Sequence, residues 1–284
     1  MASFPRALIG NPSLYNLGVI MKIHHLRSAT FAIESGDNII LVDPMLGKKG
    51  SLPPFSVLRF TAKKNPTVDL PENANDILNR VNHTLITHSQ TFGFKPLQHG
   101  DHLDSAGEAF LVKNQIPVTT PSKDKAYLEK YGLTVENGLV DWQATPFMDG
   151  EITAIPAQHG HGWIHKVMAN GCGFFLQLPN EPSIYISGDT VLTPDVKRAL
   201  EELQPDITVV ATGQAQMDVG QPLLMSSDEV MEFIRLSPHK VIANHMEALN
   251  HCPIDRKTLR RSLDAEGLLE KVMIPEDGEV LSID

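Results

Sequence analysis

Cysteine is nearly absent: two residues, Cys172 and Cys252, serve a chain of 284. A disulfide framework cannot hold such a fold together, and the two thiols are expected to be reduced and separate. No apolar run approaches the ~18 residues that a bilayer-spanning helix needs, so no membrane segment is expected. The opening stretch carries Pro5, Asn11, Pro12 and Asn16 where a signal peptide requires an unbroken apolar core. The expectation is a cytoplasmic protein with residues 1–20 as an N-terminal extension. Basic residues are in deficit, 24 Lys and Arg against 34 Asp and Glu, for a formal charge of −10. Affinity for DNA or RNA rests on neutralising phosphates with cations, so nucleic acid is not an expected partner. Repeats, low-complexity tracts and Gly/Ser linkers are also missing, and residues 21–284 read as a single domain.

What is present is enough apolar material for a substantial core, 42% of residues against 20% charged. Lys22–Ile33 and Asn38–Val42 read as a hairpin turning at Ser35–Asn38, followed by an irregular loop over residues 46–70 and a short helix over Pro71–Arg80. Thr84–Thr87 reads as a buried strand. Leu103, Ala106, Ala109, Phe110 and Val112 make a helical stripe over Asp101–Lys113, and a second helix is expected over Ser122–Tyr131. Strands follow at 151–157, 173–178, 183–186, 206–211, 240–243 and near Val272. Helices are expected at 194–203, 228–236 and 255–266, the middle one opened by a Ser226/Glu229 capping box. Strand-rich stretches broken by single helices predict a mixed α/β layered domain.

The chemistry lies at the ends of the strands. Ile39–Val42 is followed by Asp43, Thr84–Thr87 by His88, Ile152–Gln158 by His159, Ile184–Gly188 by Asp189, and Val241–Asn244 by His245. A buried strand has no reason of its own to end in an ionisable group, because burying one unpaired is costly. Five such endings argue for one shared site. Imidazole and carboxylate are also the ligands that suit zinc, manganese or iron. The densest cluster, His99-Gly100-Asp101-His102, precedes the helical stripe, and its Asp101 and His102 are expected at that helix's N-terminus, where a carboxylate is favoured.

In order and in context, this set resembles the metallo-β-lactamase superfamily, which carries an Asp after an early strand, then His-x-His-x-Asp-His, then a lone His, Asp and His. Asp43, then His88, His99, Asp101 and His102, then His159, Asp189 and His245 match in turn. The contexts Leu41-Val42-Asp43-Pro44, Ser187-Gly188-Asp189-Thr190 and Asp101-His102-Leu103 match as well, and the resemblance runs from Lys22 to about Cys252. It implies an αββα sandwich of four layers: two mixed β-sheets face to face, helices on the outer faces, and metals in a groove at one edge. It also implies a metal-dependent hydrolase with one or two divalent ions, Zn2+ foremost and Mn2+ or Fe2+ as alternatives. His88, His99 and His159 would hold one ion and Asp101, His102 and His245 the other, with Asp189 bridging and Asp43 orienting an imidazole. The ions would lower the pKa of a shared water, and Asp101 would orient that water or relay its proton. Among branches, Ala29–Glu34 is similar to the UlaG-like (ascorbate-6-phosphate lactonase-like) hydrolases, although the Gly-His pair common in that opening is here Arg27-Ser28.

One departure stands out. The family places a single residue between its first two histidines, whereas Ser89 to Gln98 separate His88 from His99, with Gln90 at the usual position of the second. Either a nine-residue insertion leaves His99 in place, fixed by the helix start, or the loop carries it away and the first metal loses a ligand.

The remaining histidines are weighed singly. His24 and His25 are adjacent in a strand and face opposite sides; His83 and His239 precede strands and are expected at the surface. His161, Trp163 and His165 follow His159 in a Gly-rich stretch and are candidates for substrate contact. Glu247 and His251, just after His245, are candidates for supporting the ligands from behind. The expected substrate is a small molecule: an ester, a lactone, a phosphorylated sugar derivative or a phosphodiester. Two alternatives stay open, a non-catalytic metal-binding or sensing protein that kept the fold and an RNA-processing nuclease of the same superfamily. A homo-oligomer also stays open.

Overall fold

The computed structural model describes residues 21–283, so the expected extension over residues 1–20 lies outside them. In chain order the elements are β1 (Met21–Arg27), β2 (Thr30–Ser35), β3 (Asn38–Val42), α1 (Ala74–Leu78), β4 (His83–Leu85), α2 (Ser105–Asn114), β5 (Val118–Pro121), α3 (Ser122–Lys130) and β6 (Val135–Leu139). There follow β7 (Ala144–Phe147), β8 (Gly150–Pro156), β9 (Cys172–Gln177), β10 (Ile184–Ile186), α4 (Pro194–Arg198), β11 (Ile207–Ala211), α5 (Ser227–Leu236), β12 (Lys240–Asn244), α6 (Arg256–Ala265), β13 (Val272–Met273) and β14 (Val280–Ile283). Among the described residues no helix is long and apolar enough to cross a membrane.

The strands form two sheets, ordered β14-β1-β2-β3-β4-β5-β6 and β13-β12-β11-β10-β9-β8-β7. In the first, β1 to β3 are antiparallel and β3 to β6 parallel. In the second, β7 to β10 are antiparallel and β10 to β13 parallel. Strand β3 shows why the apolar runs are unbroken. Ile40 and Val42 point into the core between the sheets, while Ile39 and Leu41 point outward to α1, so both faces are covered. The inner core joins Ile33, Ile40 and Leu85 to Phe174, Ile184 and Val209. The outer face of the second sheet packs Tyr185, Val210 and Val241 against Val196, Phe233 and Leu263 of α4, α5 and α6. The first sheet packs Ile86 and Val118 against Leu111 and Leu128 of α2 and α3. Each such fully buried side chain contributes on the order of 1.5–3 kcal/mol. The result is the expected αββα sandwich.

Several local expectations need correction. The first hairpin is a three-stranded meander, because the chain also reverses at Ser28, which takes a left-handed φ of 55°. β5, β6, β7 and β14 carry too many polar residues and prolines to announce themselves by pattern. The helix expected from Asp101 begins at Ser105, capped by Asp104, whose carboxylate accepts from Gly107 N at 2.7 Å. Asp101 and His102 lie instead in the preceding turn, where His102 N and Leu103 N both donate to His99 O (3.2 and 3.0 Å). The helix dipole therefore favours Asp104. His83, expected at the surface, is only 4% exposed, with Nε2 2.9 Å from Thr119 Oγ1 and its ring edge-on to Phe147.

Candidate metal centre

Strand direction brings the chemistry to one edge. β3 and β4 run parallel, as do β10, β11 and β12, and β8 shares their direction because β8 and β10 are both antiparallel to β9. The carboxyl ends of β3, β4, β8, β10 and β12 therefore present Asp43, His88, His159, Asp189 and His245 in one groove, the crevice where parallel sheets bind ligands. Two of these residues have unusual backbones. Asp43 (φ 45°) and His245 (φ 56°) are left-handed without being glycine, a conformation costing about 1–2 kcal/mol each. The turn after each strand is held by Asp43 N donating to Leu85 O and His245 N to Ser28 O, both at 3.0 Å. Asp189 is aimed by Gly188 (φ 61°), where a Cβ would stand 2.9 Å from Cys172 O.

Two groups of ligand-type atoms result, His88 with His99 and His159, and Asp101 with His102, Asp189 and His245, each within 4.8 Å of one another. Asp189 Oδ2 lies 3.2 Å from His102 Nε2, 3.5 Å from His245 Nε2 and 3.6 Å from His159 Nε2, so it touches both groups. Asp101 Oδ2 is 3.9 Å from both His102 Nε2 and His245 Nε2. The two Nε2 atoms of His102 and His245 are 3.3 Å apart.

The other ring nitrogens are already engaged. His102 Nδ1–H donates to Asp43 Oδ2 at 2.9 Å. His88 Nδ1–H donates to Thr87 Oγ1 at 3.0 Å, and that hydroxyl donates onward to Asp43 Oδ2 at 2.8 Å. His159 Nδ1–H donates to Leu223 O at 3.1 Å, and His245 Nδ1 faces Cys252 Sγ at 3.7 Å. With Nδ1 committed, Nε2 is the nitrogen left for a ligand. Inside the cluster, His88 Nε2 and both carboxylate oxygens of Asp189 are buried without a hydrogen-bond partner. Unpaired buried groups of that kind are costly, and a divalent cation satisfies all of them. The residues therefore fit a metal.

Electrostatics agree. Burial, then neighbouring imidazoles, hold His88 well below the ordinary imidazole range, and the same causes push His99 down to about 4. Both are neutral, lone-pair donors near pH 7. Burial disfavours the charge of Asp189, yet His245 and His102 outweigh it and keep the carboxyl well below its usual range. Burial also opposes a charge on His102, but Asp189, Asp43 and Asp101 raise it well above the ordinary value.

The displaced His99 rejoins the group. Its backbone N–H donates to Ser89 O at 2.9 Å, so the chain leaves at Gln90, makes an excursion to Gln98, and returns to where it left. In space the pattern reads His88-Ser89-His99. The His99 ring centroid is 4.8 Å from that of His88 and 5.4 Å from that of His159.

Other expected residues go elsewhere. Glu247 accepts from Arg256 N at 2.9 Å and from its Nη1, so its carboxylate is engaged by Arg256 at the start of α6. His161 Nε2 sits 2.9 Å from Glu229, Trp163 is 57% exposed, and His165 offers its carbonyl to Asn170. None of the three borders the cavity over the site, because the tight turn Ile164–Lys166 buries Ile164 and leaves its neighbours on other faces. Val167 and Met168 of the same loop border it instead. His251 does not hydrogen-bond a ligand imidazole but lines the cavity, buried and edge-on to Phe55, with its pKa pushed down to about 4 by burial. Thr87 was missed by sequence reasoning; its position immediately before His88 was the available signal.

That cavity, about 290 Å³, opens onto His99, Asp101 and His159. Its walls include Phe55, Phe92, Leu97, Met168, Met217 and Leu223, and no Lys or Arg is among its described lining residues.

Comparison with known proteins adds the family. The family model described as "Beta-lactamase superfamily domain" matches residues 38–246. The UPF0173 protein YddR of Bacillus subtilis (strain 168) is 30% identical over 262 residues, covering 91% of this chain and 98% of that protein. Further curated relatives carry the name UPF0173 metal-dependent hydrolase. A solved structure described as "a possible metal-dependent hydrolase" from Veillonella parvula DSM 2008 superposes with a TM-score of 0.83 at 25% identity, covering 93% of this chain and 100% of that one. An isothiocyanate hydrolase from Delia radicum gut bacteria superposes at 0.81 with 29% identity, covering 93% and 99%. The chain belongs to the beta-lactamase superfamily and is a metal-dependent hydrolase of that fold.

Proposed function

We propose that the enzyme hydrolyses a small, uncharged electrophile with an apolar tail, and that an isothiocyanate is the first substrate to test. The observation that carries this reading is the cavity, whose walls are apolar and without lysine or arginine where they meet His99, Asp101 and His159. A phosphodiester or phosphorylated sugar would find no protein cation there to recognise it, so among the substrates expected from sequence, esters and lactones fit better. The likeness to the isothiocyanate hydrolase, at 29% identity over nearly the whole chain, supports the choice of electrophile. The UlaG-like branch fits less well, since its substrate class is phosphorylated.

His88, His99 and His159 would hold one cation and Asp101, His102 and His245 a second, with Asp189 between them; the imidazole-carboxylate set suits Zn2+, with Mn2+ or Fe2+ also accommodated. Bound there, the ions would lower the pKa of a water towards neutrality and polarise the electrophile. The chain's own groups do the rest. Asp101 borders the cavity and orients the attacking water or accepts its proton. Asp43 and Thr87 fix the tautomers of His102 and His88. The apolar walls exclude bulk water, and His251, neutral and facing the same space, donates a hydrogen bond to the polar end of the substrate. For an isothiocyanate, one water adds to the central carbon, and the thiocarbamic acid then divides into an amine and carbonyl sulfide.

The test is amine release from phenethyl isothiocyanate by protein loaded with Zn2+ or Mn2+, alongside p-nitrophenyl acetate, a simple lactone and bis(p-nitrophenyl) phosphate. Turnover of the phosphodiester with none of the uncharged substrates would overturn the reading.

A further inference from the structure

We propose that the excursion Gln90–Gln98 is the specificity-determining wall of the cavity, a separable attachment that selects substrates by an apolar, aryl-sized tail and takes no part in holding the metal. The inference rests on the reading above that the cavity receives the substrate.

Three observations carry it. The loop is topologically separable, because Ser89 O and His99 N close its neck at 2.9 Å and the ligand His99 lies outside it. Its feet are anchored to the helices rather than to the metal ligands. Ser89 N and Oγ both donate to Asp124 Oδ2 of α3 at 2.7 Å. Gln98 Nε2 donates to Leu103 O at 2.6 Å and to Glu108 of α2 at 2.9 Å, while its Oε1 accepts from Tyr127 of α3 at 2.7 Å. Between those anchors the loop turns apolar groups to the cavity, Phe92, Pro96 and Leu97 among them, opposite Met168 and Leu223. Phe92 is 62% exposed and Leu97 53% exposed. Large side chains left in water at the mouth of a cavity gain by being covered, and a substrate tail of matching character is what would cover them.

An anionic tail would meet no Lys or Arg among the described lining residues, while a methyl group would be too short to reach the wall. The loop should therefore govern discrimination between long and short tails, acting through binding rather than through the chemical step.

Two variants test this. One deletes residues 90–98 and so joins Ser89 to His99, restoring the family spacing. The other, Phe92→Ser with Leu97→Ser, changes only exposed side chains and avoids dependence on how well the deletion folds. For each, metal content, kcat/KM for phenethyl and methyl isothiocyanate, and the affinity for 2-phenylethanol, an unreactive bearer of the same tail, are measured on the metal-loaded protein. The expected result is unchanged metal content, a phenethyl-to-methyl ratio lowered about tenfold through KM, and 2-phenylethanol binding weakened by a similar factor. An unchanged ratio and unchanged 2-phenylethanol affinity in the double variant would overturn the proposal, as would loss of metal on deletion from a protein that remains folded. Wild-type protein inactive on both isothiocyanates would sink the substrate reading alone, because binding of 2-phenylethanol still decides the role of the loop.

Discussion

The quartet Asp101, His102, Asp189 and His245 and the triad His88, His99 and His159 stand side by side, yet they are built differently. In the quartet all four side chains are buried; Asp189 and His245 follow strand ends, while Asp101 and His102 lie in the turn before α2. In the triad, His99 is only partly buried and comes back from a nine-residue excursion, held by one backbone bond to Ser89. His99 and His159 of the triad and Asp101 of the quartet border the cavity, whereas His88, His102, Asp189 and His245 do not. The insertion precedes His99, Asp101 and His102 alike, and the single hydrogen bond from His99 N to Ser89 O restores the spacing of all three.

The largest effect should come from Asp189, which touches both groups. Asp189→Ala removes the carboxylate that three imidazoles face, and kcat/KM should fall on the order of 10³-fold or more with loss of bound metal by elemental analysis. Retained metal and activity would break the assignment for both halves. Next, on the proposed two-ion reading, His99→Ala should lose the triad's ion and keep the quartet's, while His102→Ala should lose the quartet's and keep the triad's. Loss of all bound metal in both variants would show that the halves are not separate sites. Thr87→Val keeps the shape but removes the hydroxyl linking Asp43 to His88. The affinity of the triad's ion should weaken about 10–100-fold in a chelator competition, with the quartet's ion less affected.

The pH dependence separates proton from metal. His102 without a cation is held well above the ordinary imidazole value, against its burial, by Asp189, Asp43 and Asp101. A raised folded-state value stabilises the metal-free protein below the ordinary imidazole range, and that contribution disappears as pH rises through the raised value. The Tm of metal-free protein should thus fall on the alkaline side while that of loaded protein does not. Metal binding near neutrality should release a proton, seen by calorimetry in buffers of different ionisation heat; no release would refute this account of His102.

The smallest effect is expected at Asp218, which accepts from Val57 N, Leu58 N, Arg59 N and Ser56 Oγ and so ties the loop carrying Phe55 to the cavity edge. Those hydrogen bonds hold its carboxyl below the ordinary range, so the tie is intact at neutral pH and weakens in acid. Asp218→Ala should raise KM a few-fold and leave metal content alone.

Much of the centre could be read from the chain because its strands are covered on both faces. Such strands appear as apolar runs whether their neighbours are parallel, as for β12, or antiparallel, as for β8, and an ionisable residue closing such a run stands out at Asp43, His88, His159, Asp189 and His245. The outer strands β5, β6 and β7 did not stand out, since prolines and polar residues blur their alternation. Residues after His159 misled for a related reason: a Gly-rich loop next to a ligand has no period from which to tell which side chains face in, and Val167 and Met168 took the place expected of His161, Trp163 and His165.

By itself the sequence determined the sandwich and the order of ligand-type residues along it, because burial demands a pattern that repeats locally and can be counted. Only tertiary structure decided that His99 returns to Ser89, that Thr87 couples Asp43 to His88, and that the cavity is apolar. Each of those depends on distant segments meeting, and hydrogen bonds and cavity walls formed between such segments leave no periodic trace in the chain.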